Sequence, residues 1–407
     1  MNILVIPDKS YPLHHALLEH IFYRILPERG HKITWLLPSS KVNTFNESKQ
    51  WGSTDVILNP FINSNERILQ VKYFLYTKFR SMWQIIRIAR ERNIDIIFVR
   101  NDLTAALIAS IAARRLGIRF VYYLGFPIQE AILEGARRGL HRSRILGPLY
   151  VSYALPLRNW LTKRADFVFT MSTFWQKKII KKLSLSSDKV GVLPFGFDTS
   201  VNTHTIDRNI IRNKFNINEN SVILYMGTII PLRNVTILID ILERVIAIRQ
   251  DVRLIILVGK GNNHLIDSFK KKFEERNLHH YVIFVPTVPH SEVPLYIRAA
   301  DVGLSPVEKI PVYEVSSPAK FIEMLGMGLP VVASDIPEQK NILEQTRAGL
   351  TVPFEPTAFA NAILHILEHP AEAQQMGQEG RKYVEQERGF ETLASHVESI
   401  LKRILTD

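Results

Sequence analysis

The sequence predicts an α/β protein built from two facing, Rossmann-like, doubly wound domains. Three observations carry that expectation. Short apolar runs alternate with helix-period stretches in both halves of the chain, the pattern of parallel sheets flanked by helices. The 407 residues exceed what one ordinary core holds. A polar, Asn-rich stretch at 201–220 separates the two series and reads as a linker.

In the first half, residues 3–6 and 32–36 read as strands around a helix at 17–26. A buried strand at 95–99, a helix at 103–116 and a strand at 119–124 follow. A strand at 167–171, a helix at 173–183 and a strand at 190–193 close an N-terminal domain assigned to 1–200. The second domain, 221–390, begins with a strand at 222–226. Helices at 235–248, 265–276 and 292–299 then alternate with strands at 254–258, 281–285 and 302–305. A strand at 331–333 and helices at 358–368 and 371–387 complete it. The helix at 393–405, in a tail 391–407, is expected to pack back toward the N-terminal domain. In such sheets the default ligand site is the crevice at the strand ends.

Composition narrows the class. An apolar fraction of 46% with 22% charged residues is that of a folded soluble protein. There is no cysteine, so disulfide and thiolate chemistry are excluded, which fits a reducing cytoplasm. Met1 to Pro7 reads as a short β run without the features of a signal peptide, and no run approaches a membrane span. Residues 1–200 hold 29 Lys/Arg against 14 Asp/Glu, whereas 201–407 hold 22 against 25. The basic excess lies wholly in the first half, so that domain is expected to meet an anionic surface.

The most informative stretch runs from Ser316 to Ser334. A Pro-broken polar loop enters a short helix that Gly326 and Gly328 end, and a buried strand follows. Backbone N–H groups at such an entry converge, and with the helix dipole they make an anion site suited to a diphosphate. Glu323, one turn in, is placed to accept hydrogen bonds from vicinal hydroxyls such as those of a ribose. An ordinary α/β turn with a solvated Glu is the competing reading.

The ordered set of motifs is specific. Tyr225-Met226-Gly227-Thr228, Arg233-Asn234, Val258-Gly259-Lys260-Gly261 and Phe284-Val285-Pro286 come first. Ala299-Ala300-Asp301-Val302, Ser305-Pro306, Ser317-Pro318-Ala319-Lys320, Glu323 and Gly328-Leu329-Pro330-Val331-Val332 follow, with Gly349-Leu350 and Phe390 behind them. The set resembles the donor domain of retaining nucleotide-sugar glycosyltransferases of the GT-B fold, family-4 type (glycosyl transferases group 1), over nearly all of 221–392. The first half matches more generally, through Arg29-Gly30-His31, Ala165-Asp166 with Ser172, and 192–198.

The resemblance implies a hexosyltransferase-like enzyme that uses a UDP- or GDP-type sugar as substrate, with no further cofactor. It implies that Arg233 and Lys320 are catalytic and that Gly227, Thr228, Gly259, Lys260, Val288, Ser317, Pro318, Ala319 and Glu323 bind the nucleotide sugar. Arg233 would grip the diphosphate, for which its planar fork is suited. The amides of Ala319 and Lys320 would take the other side, Glu323 the ribose, and the loop at 285–289 the base. No metal is expected: there is no Asp-x-Asp, the histidines look scattered without ligand spacing for zinc, and Glu385-Gln386-Glu387 reads as solvated.

Departures from the family pattern leave several points open. Relatives often carry a second Glu eight residues before the ribose Glu, where this chain has Val315. Glu314, Ser316 or Ser317 is the candidate for sugar contact. No His follows the strand at 119–124, where Gly125-Phe126-Pro127 stands, and His14 and His15 read as solvated or capping. A dinucleotide fingerprint fails because Asn262 follows Gly261 where a third small residue is needed.

Two basic, apolar-interleaved segments suggest the acceptor. One spans Arg67 to Arg92; the other holds Arg137, Arg138, Arg142, Arg144, Arg158, Lys163 and Arg164 with Ile145, Leu146, Leu149, Tyr150, Tyr153 and Trp160. Basic amphipathic stretches bind anionic bilayers. The expected partners are therefore a glycan or lipid-linked acceptor and an anionic membrane, with a peripheral location at the inner face. No RNA-binding signature accompanies the charge, so nucleic acid is not expected. A nucleotide-sugar epimerase or non-catalytic binder of the same fold is the alternative.

Overall fold

The computed structural model describes residues 1–42, 48–61, 83–140, 145–259 and 261–406. Two compact units emerge, Met1–Pro194 with Phe390–Asp407, and Phe195–Gly389.

Unit 1 carries an eight-stranded sheet. Its strands are β1 (Asn2–Ile6), β2 (Lys32–Val42), β3 (Ser48–Trp51), β4 (Thr54–Phe61), β5 (Ile96–Arg100), β6 (Arg119–Leu124), β7 (Phe167–Thr170) and β8 (Val190–Val192). The spatial order is β3-β4-β2-β1-β5-β6-β7-β8. Among the described residues, only the edge pair β3/β4 is antiparallel. β1 pairs with β2 on one side and β5 on the other, with Ile3 opposite both Ile33 and Ile96. The chain therefore reverses its direction of sheet growth at β1/β5, and this switch point opens a crevice at the strand ends.

Among the helices of unit 1 are α1 (Leu103–Leu116), α2 (Ile128–Arg137), α3 (Leu146–Arg164) and α4 (Thr173–Leu183), and a further helix covers 83–91. Asp102 caps α1 by accepting from Ala105 N–H, and Gly117 ends it in the left-handed region. The helical stretch 16–28 is wound as a π-helix through Glu19–Ile25, which turns Ile21, Phe22 and Ile25 into the core. Phe22 lies 4.7 Å from Phe98 there.

Unit 2 carries a six-stranded, all-parallel sheet: β9 (Ser221–Gly227), β10 (Val252–Val258), β11 (Val282–Val285), β12 (Val302–Ser305), β13 (Val331–Ser334) and β14 (Gly349–Val352). Its order is β11-β10-β9-β12-β13-β14, so its switch point lies between β9 and β12. Its helices are α5 (Asn209–Phe215), α6 (Ile237–Ile246), α7 (Asn263–Glu275), α8 (Val293–Ala299), α9 (Ala319–Gly326), α10 (Pro337–Thr346), α11 (Pro356–Glu368) and α12 (Pro370–Tyr383). Strands covered on both faces read as continuous apolar runs, and β9 and β10 are buried almost throughout. The chain ends in α13 (Phe390–Thr406), whose Leu393, Val397, Leu401 and Ile404 join the core of unit 1. Arg29 bonds Glu391 at 2.7 Å and Glu398 at 2.8 Å to hold it there.

Several details differ from the expectations. Strand β2 runs past 36 to Val42, and β3 and β4 were not foreseen. Trp51, stacked on Tyr23 at 4.1 Å, anchors this edge. The stretch 201–220 is part of unit 2 rather than a free linker. The reason is Arg212 on α5, which is buried and donates to the carbonyls of Ala299, Asn218 and Asn220 and to Asp301 at 2.7–3.1 Å. These bonds satisfy backbone groups that an open linker would leave to water.

Candidate functional site

The predicted nucleotide residues gather on the C-terminal edge of the unit 2 sheet. Gly227 ends β9, and the turn Pro231–Arg233 follows, closed by Asn234 in the left-handed region. A Cβ on Gly227 would come within 2.7 Å of the Tyr225 hydroxyl and 3.1 Å of an Arg233 Nη. Glycine thus leaves the room in which Arg233 lies against the strand end. Burial pushes the Tyr225 hydroxyl pKa up, and the charge of and hydrogen bond to Arg233 partly offset this. Gly259, after β10, donates its N–H to Gly227 at 2.9 Å, and a Cβ there would meet the Thr228 methyl at 3.1 Å. Lys260 lies outside the described residues. Thr287 donates to the carbonyl of Val258 at 3.1 Å, and Val288 packs partly buried on the core.

Across the switch point, the loop after β12 leads into α9. Pro318 occupies the N-cap position, and no side chain caps this helix. Its first N–H groups are therefore open donors at the positive end of a helix dipole. Just before it, Ser317 is 1% exposed, and its Oγ has no hydrogen-bond partner. Ser316 is different: its Oγ donates to the Tyr313 carbonyl at 2.8 Å. Val315 is buried, and Glu314 is half-buried.

Glu323 lies one turn into α9 and is nearly buried. Lys320 Nζ lies 2.8 Å from one oxygen and 3.1 Å from the other, and His290 Nε2 stands 3.7 Å away. Burial alone would raise the Glu323 pKa, yet the His290 and Lys320 contacts outweigh it and hold the carboxyl below its usual range. The sequence reading missed His290, whose turn after β11 gives no motif signal. Arg233, the 227–228 and 259 backbone, and the 317–320 entry thus sit at the ends of neighbouring strands β10, β9 and β12. A cavity of about 330 Å³ lined by Arg208, Ser221, Asp301 and Pro330 lies by the starts of β9, β12 and β13, so it is not this site.

Unit 1 fills its own switch point. Asp8, just past β1, pairs with Arg100 at the end of β5 and accepts from Asn101 Nδ2 at 3.0 Å. Asn101 adopts a φ of 56° and accepts through Oδ1 from Gly125 N–H at 2.8 Å and Phe126 N–H at 3.2 Å. Asparagine enters this left-handed region more readily than other non-glycine residues. A Cβ on Gly125 would press to 2.6 Å from Arg100 Nε, so the glycine makes room for the guanidinium. His15 caps the helical stretch by accepting from Leu18 N–H. Burial and the neighbouring Arg100 push its pKa down to about 3, so it is neutral. His14 is exposed. These residues lie far apart in sequence, so no motif announces the cluster.

The second basic segment is only partly a solvated face. Arg158 is 3% exposed and grips Glu130 through two bonds of 2.7 and 2.8 Å, because α3 turns it inward against α2. Arg164 lies over Trp160 at 4.4 Å. The apolar members do face solvent: Ile145 is 78% exposed, and Leu146, Leu149, Tyr153 and Trp160 follow along α3. Arg142, Arg144 and most of 67–92 lie outside the described residues. Among the described residues, no helix is long and apolar enough to cross a membrane.

One expectation about histidines needs correction. His365 and His369 are not scattered: four positions apart on a helix and at its end, they share a face, and with Glu372 they bring ligand atoms within 4.8 Å of one another.

A family model described as Glycosyltransferase Family 4 matches residues 22–201, and one described as Glycosyl transferases group 1 matches 220–369. The chain is 26% identical over 180 residues to the putative teichuronic acid biosynthesis glycosyltransferase TuaH of Bacillus subtilis, covering 44% of this chain and 42% of that protein. It is 22% identical over 257 residues to the putative glycosyltransferase YtcC of the same organism, covering 59% of this chain and 61% of that one. The aligned chain thus spans less than two thirds of either relative. Among solved structures, Anabaena HepE in complex with UDP superposes with a TM-score of 0.71 at 17% identity, over 99% of this chain and 100% of that one. Sucrose-phosphate synthase from Thermosynechococcus elongatus gives 0.75 at 16% identity, over 100% of both.

Proposed function

The chain belongs to the glycosyltransferases of the GT-B fold, with a family 4 half and a group 1 half, and on that premise we propose that it transfers a sugar, with retention, from a nucleoside-diphosphate sugar to a glycan or lipid-linked acceptor. The observation that carries this reading is the pair of unsatisfied donors at the unit 2 switch point: the uncapped start of α9 and the partnerless buried hydroxyl of Ser317. Buried polar groups are almost always paired, so an orphan beside open helix amides marks a place where a ligand supplies the partner. An anion with several acceptor oxygens fits, and a diphosphate between these groups and Arg233 has the right charge. HepE structures hold UDP and UDP-glucose, which supports a uridine nucleotide as the first candidate.

In this reading the reaction is driven by charge placement. As the bond from the sugar to the diphosphate breaks, negative charge grows on the phosphate oxygens. Arg233 and the first amides of α9 stabilise it, at about 3–4 kcal/mol per well-aimed donor. Lys320 adds a positive charge in the same turn and neutralises Glu323 until the ribose hydroxyls donate to that carboxylate. The described residues of the site offer no carboxylate pair suited to a glycosyl-enzyme route. The departing phosphate is therefore assigned the acceptor's proton, with attack on the same face of the sugar. No metal is called for, because side-chain and backbone donors meet the phosphate charge.

We place the acceptor against the unit 1 crevice of Asp8, Arg100 and Asn101, with the exposed stripe of α3 resting in the headgroup layer of the cytoplasmic membrane face. Tyr153 and Trp160 are residue types that favour that interface, and Arg137 and Lys163 supply exposed cations. The test is transfer of radiolabelled sugar from UDP- and GDP-sugars to a membrane extract. A lipid-extractable product supports the reading. Interconversion of free nucleotide sugars without an acceptor would instead make the protein an epimerase.

A further inference from the structure

We propose that His365, His369 and Glu372 bind a borderline divalent transition-metal ion, of the zinc, nickel or copper class, which staples the corner between α11 and α12. The site is separate from the sugar-nucleotide edge and does not rest on the transferase reading.

The corner is tight. His369 is the single residue between the two helices and serves as the C-cap of α11 and the N-cap position of α12. Its own N–H donates to the His365 carbonyl at 3.1 Å, and its carbonyl accepts from Ala373 N–H at 3.0 Å. The backbone that carries the ligands is thus held on both sides before any ion arrives.

The rings are also oriented. His369 Nδ1 lies 2.7 Å from the His365 carbonyl oxygen. A carbonyl only accepts, so Nδ1 carries the hydrogen and Nε2 presents its lone pair outward. A backbone carbonyl on one ring nitrogen is the usual partner of a histidine whose other nitrogen binds metal. His365 stacks on this ring at 4.3 Å between centroids and 28° between planes. Its Nε2 lies 3.0 Å from Glu372 Oε2. The metal takes the place of the hydrogen in that bond, and the proton moves to Nδ1 of the same ring.

The donor chemistry selects the ion. Two imidazoles and one carboxylate suit zinc, nickel and copper and do not suit magnesium or calcium, which prefer all-oxygen shells. Tetrahedral ligands at 2.0–2.1 Å from an ion lie about 3.3 Å apart. The three ligand atoms lie within 4.8 Å of one another, and the stacked rings turn to bring them to that spacing around an ion. Both Glu372 and His365 are roughly half exposed, so an ion can enter and water can fill the fourth position.

A staple here would steady α12. Gly377 on that helix packs directly on the Gly328 backbone, and Arg381 donates to the Gly326 carbonyl at 2.6 Å. Those contacts support the far end of α9.

The test is calorimetric titration of the untagged, chelator-treated full-length protein with zinc chloride, paired with melting curves with and without the ion. The expected result is one ion per chain and a higher melting temperature, with no such response to magnesium. His369→Ala and Glu372→Gln should each weaken zinc binding by about tenfold or more, by comparison with losses at outer-shell partners, while melting as wild type does without metal. Should His369→Ala fail to fold, Glu372→Gln alone decides the matter. Equal zinc affinity in wild type and variants, or no binding at micromolar to 100-micromolar zinc, would overturn the proposal.

Discussion

The two sheets share a device and use it differently. Each reverses its strand order at one point, β1/β5 in unit 1 and β9/β12 in unit 2, the place where such sheets form a ligand crevice. Unit 1 closes its crevice with its own charges: Arg100 sits on Asp8, and Asn101 ties both to the turn at Gly125. Unit 2 leaves its crevice hungry: α9 starts without a side-chain cap, and the Ser317 hydroxyl is buried without a partner. Under the proposed function the self-satisfied crevice takes a ligand that trades hydroxyl hydrogen bonds with a neutral surface, as a glycan does. An unsatisfied one favours a ligand that brings negative charge. The topology is common to both, and the local polar inventory differs.

The comparison can be broken at its strongest point by removing Arg100. The Arg100 side chain is 5% exposed and its partner Asp8 21%, so Arg100→Leu strands a largely buried carboxylate. Breaking such a pair costs about 3–5 kcal/mol. Urea denaturation should show that loss, while nucleotide affinity stays near wild type. An unchanged midpoint would mean that unit 1 does not depend on its internal ion pair.

Next in size is Arg233→Ala, which empties the cationic side of the unit 2 crevice and takes a hydrogen-bond partner from buried Tyr225. Transfer should fall by about 10²-fold or more. Initial rates with a saturating acceptor give the number, and near-normal kinetics would remove Arg233 from the diphosphate. Glu323→Ala should weaken donor binding by about 1.5–3 kcal/mol, the worth of hydrogen bonds to a charged group. Calorimetry with the nucleotide and with its 2′,3′-dideoxy analogue separates the ribose role: the analogue should bind both proteins alike.

A smaller effect marks the anchorage of α13 on unit 1. Lys402, then His31 and Arg29, hold the Glu398 carboxyl down to about 2. A depressed carboxyl contributes stability above its unfolded pKa and loses it as pH falls through the folded one. Acid melts should therefore lose stability between roughly pH 4.5 and 2 in wild type. Glu398→Gln should flatten that slope, and an identical slope in both proteins would count against the contact.

Much of the fold was readable because parallel strands buried on both faces appear as uninterrupted apolar runs. β9, β10, β12 and β13 are of this kind, and their ordered motifs singled out Arg233, Ser317 and Glu323 as candidates. Other elements resisted for physical reasons. Strand β3 carries Ser48, Lys49 and Gln50 at a sheet edge, so burial leaves no pattern. Helix α3 contains Pro156, which masks its periodicity. The Asn-rich stretch at 201–220 read as a linker because its hold on unit 2 comes from long-range bonds of one buried residue, Arg212. The Asp8–Arg100–Asn101 cluster joins residues that only the strand order brings together. The His365/His369 spacing stood in plain view and needed only the helix to give it meaning.

The most direct test of the central claim uses Ala319→Pro. Ala319 is the first residue of α9, a position where proline fits a helix and removes only one free N–H. Titration of wild type and variant with UDP should show binding about ten- to a hundredfold weaker in the variant, the value of one hydrogen bond to a charged group. Equal affinity in the two proteins would contradict the assignment of this helix entry to the diphosphate.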